Sequence, residues 1–151
     1  MNPGTNEVWE MESSEPISQQ TRERLRLVRT ALIRLHKVLL GFQRQAWEKE
    51  GGRIGNSYEF LNIVMHDAAF AWLHRLSELI VQIDELLDSR EEVRENNALG
   101  LIEQAKFLLV PAEFGDDFQT RYFTALQESP DVVLAHSEVV PLFGKRNDRV
   151  H

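Results

Sequence analysis

Apolar residues recur at alternating steps of three and four through the first third of the chain: Leu25, Val28, Leu32, Leu35, Leu39, Phe42 and Ala46. That spacing keeps all of them on one side of a helix, as a bundle or coiled-coil seam requires. A second row, Ile33, Leu40 and Trp47, repeats every seven residues on a flank of the same helix. Ser18 or Thr21 is placed to cap its start, and the helix is expected to run to about Glu50. Gly51-Gly52-Arg53-Ile54-Gly55-Asn56 breaks it, with Gly51 suited to a left-handed stop. Asn56, with Glu59 three residues on, caps a short helix over Ser57 to Met65.

Asp67 reads as a fresh N-cap for a long helix to about Asp88. Its seam is Ala69, Leu73, Leu76, Ile80, Ile83 and Leu87, and Trp72, Leu79 and Leu86 form a flanking row. A third major helix is expected over Ala98 to Val110, with Leu101, Ile102, Ala105, Leu108 and Leu109 inward and Pro111 as its stop. Asp116 or Asp117 can cap a helix to Gln127, and Ser129-Pro130 opens a last one that reaches Val139. No strand pattern competes with this series. The fold class predicted is all-α, a four-helix-type bundle with one or two additional short helices. The domain spans 18–143, between a disordered acidic tail over 1–17 and a polar tail over 144–151.

Composition narrows the chemistry. The 151 residues include no cysteine, which removes disulfides, thiolate zinc sites, iron–sulfur clusters and cysteine nucleophiles together. Met1 to Glu15 carries four glutamates and no basic residue, so it does not read as a secretory signal. No apolar run approaches the ~20 residues that cross a bilayer. A cytoplasmic protein without membrane association is therefore expected. The net charge of −7 is unevenly distributed. Thr21 to Arg53 holds nine basic and three acidic residues, about +6, and the remainder, with 8 basic and 21 acidic, about −13. Two explanations are open: a basic face for an anionic partner, or a basic helix packed beside acidic ones. Nucleic acid is not an expected partner at this net charge.

The histidines are the principal candidates for a cofactor. His36 lies beside the first seam, and His136 on the last helix; either could ligate haem or line an interface. His74 and Glu78 are four apart on one helical face and could offer two metal ligands. A di-iron site is disfavoured, because no histidine in the helices has a carboxylate three residues before it. Walker loops, dinucleotide glycine motifs, nucleophile elbows and zinc-protease spacing are all absent. No catalytic residue is assigned, and an enzyme is not expected. Glu78, Asp84 and Glu85 are placed either in solvent or opposite Arg29, Arg34 or Lys37. The mixed sector of Arg29, Ile33, Leu40 and Trp47, with Trp72 on the later helix, is the candidate protein interface.

Two stretches, Phe70-Ala71-Trp72-Leu73-His74-Arg75-Leu76-Ser77-Glu78-Leu79-Ile80-Val81-Gln82-Ile83-Asp84-Glu85 and Leu35-His36-Lys37-Val38-Leu39-Leu40, resemble helical proteins of bacterial genomes that carry no assigned role. The resemblance covers about Thr21 to Leu142 and implies a single all-helical domain, with no residue carried over. The functional expectation is a small helical protein-interaction or regulatory module, homodimeric because two apolar rows per helix need more partners than one chain was expected to supply. The alternative is a haem- or metal-binding bundle using His36, His74 or His136.

Overall fold

The structure, a computed structural model, describes residues 15–144. Both expected tails fall largely outside that range. Six α-helices follow one another: α1 (Gln19–Lys49), α2 (Ser57–His66), α3 (His74–Leu87), α4 (Glu95–Leu108), α5 (Asp117–Glu128) and α6 (Pro130–Val139). A 3₁₀ segment, Ala68–Leu73, precedes α3, and another, Val140–Phe143, follows α6. The described chain is all-α, with no strand and one isolated antiparallel bridge between Pro16 and Arg94.

The ends of the helices are set by side chains that the sequence advertises. Ser18 accepts a hydrogen bond from the Thr21 amide, Asn56 from that of Glu59, Asp116 from that of Gln119 and Ser129 from that of Val132. Each satisfies one of the amides that a helix start leaves without an internal partner. Glu59 reaches back one residue further than a capping box would, to the Gly55 amide at 2.8 Å. Gly51 stops α1 at φ 101°, where a Cβ would be strained.

α1 is the spine. It packs on α3, α4 and α6, and Leu25, Val28, Leu32, Leu35 and Leu39 of its seam are fully buried. Phe42 and Ala46 are only half-buried, as the seam runs out past the ends of its neighbours. Full burial of an aliphatic side chain is worth about 1.5–3 kcal/mol, so this row alone anchors the core. The acidic helices do face the basic one: Arg29 pairs with Asp84 of α3 at 3.1 Å, and Arg34 with Glu138 of α6 at 2.8 Å.

The long helix expected from Asp67 is divided. Asp67 caps as expected, its carboxylate accepting from the Ala69 amide, but the chain then winds as 3₁₀ to Leu73. At three residues per turn, Phe70 and Leu73 share a face. Both are buried, and Phe70 meets Phe60 of α2 edge-on at 6.0 Å. Trp72 is also buried, at 5% exposure, against Phe118 of α5. Its indole N–H donates to Gln43 of α1 at 2.9 Å.

The boundary of the N-terminal tail shifts as well. Glu15 to Ile17 run alongside Val93 to Glu95, with Ile17 donating to the Val93 carbonyl and Glu95 to that of Glu15. The Glu95 carboxylate accepts from the Ser18 amide and the Thr21 hydroxyl, which fastens the start of α1 to the start of α4. Those hydrogen bonds, Thr21 first, hold the Glu95 carboxyl below the usual range.

Candidate functional site

The expected interface sector is mostly occupied within the chain. Trp72 lies in the core, because α5, assigned no covering role in the sequence reading, covers it. Arg29 is engaged by Asp84. Leu40 and Trp47 are half-buried and pack against the core. Arg44, in the same sector, lays its guanidinium over the Phe60 ring at 4.9 Å, so α2 sits across this part of α1. Only Ile33 remains open, at 47% exposure. Most of the flanking rows is thus covered inside one chain, with Ile33 left exposed.

The histidines are distributed among separate helix contacts. His36 Nε2 and the Ser77 hydroxyl are 2.7 Å apart, linking α1 to α3 across 41 positions. Burial, and then the nearby His74, lower the His36 pKa. The imidazole is therefore neutral near pH 7, and Nε2 can accept from the hydroxyl. This serine–histidine pair was not visible in the sequence. Among the described residues no carboxylate orients its second nitrogen, so it lacks the third member of a hydrolytic triad. The single Ser77 hydroxyl proton serves either His36 or the Leu73 carbonyl, which lies 3.3 Å away.

His136 forms the corresponding link between α5 and α6. Its Nδ1 lies 2.6 Å from the hydroxyl of the fully buried Tyr122. Burial raises the phenol pKa and lowers that of the imidazole, so the phenol donates. His74 is exposed and directs Nε2 to the Val64 carbonyl at 3.3 Å, while Glu78 points into a groove further along α3. Among the described residues no group of three or more histidines and carboxylates is placed to hold a metal. The geometry thus places His36 and His136 in helix–helix bonds and turns His74 toward the Val64 carbonyl.

That groove is a concave feature of the described surface. It lies between α3 and α4, has a volume of about 500 Å³, and is floored by Leu79, Gly100 and Leu108. Phe107 lines it and is 67% exposed. Large apolar groups left in water usually mark a binding surface when they adjoin one another. Here three follow closely in sequence: Val110 is open one turn beyond Phe107, and Phe114, on the loop that follows, is 91% exposed. The loop is fixed against the same end of the groove. Gln119 donates to the Phe107 carbonyl at 3.4 Å, and Arg75 pairs with Asp116 at 2.9 Å. The Gln119 amide and then Arg75 hold the Asp116 carboxyl below its usual range.

Gly100 contributes by its size. A Cβ built there meets nothing within 4 Å, so no close helix contact within the chain explains a glycine in the middle of α4. Its effect is to keep the floor open. The inward set of α4 expected from its helical period, Leu101, Ile102, Ala105, Leu108 and Leu109, is buried, and Phe107 and Gly100 sit off that set. An aromatic on the outer face of an amphipathic helix, beside an interior glycine, was the available signal.

No helix among the described residues is long and apolar enough to cross a membrane. No protein-family model, curated protein or solved structure matches the chain.

Proposed function

We propose that the chain is a helical protein-interaction module whose binding surface is the α3–α4 groove and its Phe107–Phe114 rim. The frame is read as a four-helix-type bundle of α1, α3, α4 and α6, braced by two shorter helices. One observation carries the reading: Phe107 is exposed in the lining of an apolar-floored groove that nothing in the described chain fills, and Val110 and Phe114, which follow it closely in the chain, are exposed as well. Aromatic residues concentrate in the energetic centres of protein interfaces, and an unfilled groove gives them a pocket beside which to act.

The test compares wild-type protein with a Phe107→Ser/Phe114→Ser double variant as baits in native lysate, with circular dichroism to confirm equal helix content. The variant is expected to fold, since both side chains lie largely in solvent, and to lose proteins that the wild type retains. An identical set of retained proteins on both baits would refute this surface.

A further inference from the structure

Resting on that reading, we infer that the α3–α4 groove receives a cationic amphipathic helix of another protein, with apolar anchors on one side and lysine or arginine on both flanks. Three features of the groove select this occupant.

The first is charge. Glu78 of α3 and Glu103 of α4 stand on opposite walls. Both are exposed, and neither forms an ion pair among the described residues. The one cation in the lining, Arg75, is bound at the end of the groove by Asp116. The remaining polar lining is Gln82 and Gln104, which are neutral. A ligand lying along the floor therefore meets an uncompensated carboxylate on each side. Basic residues on both flanks answer that field, and acidic ones are repelled by it.

The second is backbone chemistry. Both walls are α-helices whose amides and carbonyls are bonded internally, so the groove has no free strand edge. An extended peptide would leave its own backbone groups without partners there. A helix brings its backbone bonds with it and needs only side-chain complementarity.

The third is size. The lining spans Arg75 to Gln82 on one wall and Gly100 to Leu108 on the other. At 1.5 Å per residue this is about 11 Å, the distance from position i to i+7 of a ligand helix. Three anchors at i, i+3 or i+4, and i+7 fit that length, and the missing side chain at Gly100 admits the one at that end.

The probe is a fluorescein-labelled 18-residue helix with leucines at that spacing flanked by lysines, beside a twin with glutamates in place of the lysines. Anisotropy is read on the full chain. The lysine peptide is expected to bind with a Kd of roughly micromolar order, and its twin about tenfold or more weaker, a gap that narrows at high salt. Glu78→Lys/Glu103→Lys should reverse the preference. Glu91→Lys/Glu128→Lys carries the same change in charge away from the groove and should leave it intact.

Failure of the lysine peptide to bind overturns the proposal. Equal loss in the two double variants would show only general attraction to an acidic protein, and overturns it too. Equal binding of both peptides, abolished by Phe107→Ser, would overturn the cationic partner while keeping the groove as the binding surface. Binding indifferent to Phe107→Ser, Glu78→Lys and Glu103→Lys alike would remove the groove itself. Light scattering covers the remaining occupant: a mass of twice 17.5 kDa that Phe107→Ser halves would place a second copy of this chain in the groove and overturn the proposal.

Discussion

Replacing Gly100 by alanine should make the protein more stable. Glycine in a helix interior is about 0.8–1.0 kcal/mol less favourable than alanine, because more backbone freedom is lost on folding. That gain is cancelled wherever the added methyl collides with a neighbour, and at Gly100 it meets no atom within 4 Å. Its backbone is not in the left-handed region either, so alanine adopts it without strain. The full gain of about 0.8–1.0 kcal/mol should appear as an upward shift in urea midpoint at constant m-value, and as about 2–4 °C in Tm for a chain of this size. Gly100→Leu should keep most of that stability while its side chain enters the groove and weakens binding of the lysine peptide. A fall in the midpoint on Gly100→Ala would mean that α4 packs closely at this point. The open floor, and the binding surface argued from it, would then be wrong.

Three further outcomes follow from contacts described above. Gln43→Leu should cost about 1–3 kcal/mol in chemical denaturation, because the buried Trp72 N–H loses its acceptor; an unchanged midpoint would show that the bond is not made. Gly51→Val should destabilise by about 1–2 kcal/mol, since a β-branched residue is strained at φ 101°, and retention of wild-type stability would place the end of α1 elsewhere. Stability should also fall in acid through the histidines. His36 and His136 have folded pKa values below 6.5, so the unfolded chain binds more protons as pH drops under that value. Their contribution is complete above pH 6.5 and is lost as pH falls toward the folded values. His36→Gln should flatten the slope of stability against pH in that window, and a slope identical to wild type would contradict the neutral, bonded imidazole.

The helices were legible where one strong period and one good cap coincided. α1 combines a three-and-four seam with Ser18 and Gly51 at its ends, and the structure begins and ends it within a residue or two of that reading. α6 was marked by Ser129-Pro130 in the same way. The segment before α3 was not legible, because Ala68 to Leu73 satisfies α and 3₁₀ spacing equally over so few residues. Only the docking of Phe70 on Phe60 decides between them. Trp72 was misassigned for a related reason. An apolar row seven residues apart does not say which neighbour covers it, and Phe118 lies 46 positions away along the chain. The same distance problem hid the Ser77–His36 and Tyr122–His136 bonds. The groove was half legible: the inward face of α4 was read correctly, but its outward aromatic gains meaning only once α3 lies alongside and the floor between them is empty.

The position of α1 as spine also has a consequence for synthesis. Its seam is complete once Lys49 is made, yet the last helix that closes over it ends at Val139, 90 residues later. At the usual 5–20 residues per second of translation, roughly 5–20 s separate the two events. For that interval a newborn rod, oily along one edge and cationic along another, emerges from the ribosome without its later cover. Any chaperone that favours greasy, positively charged segments would meet it there first.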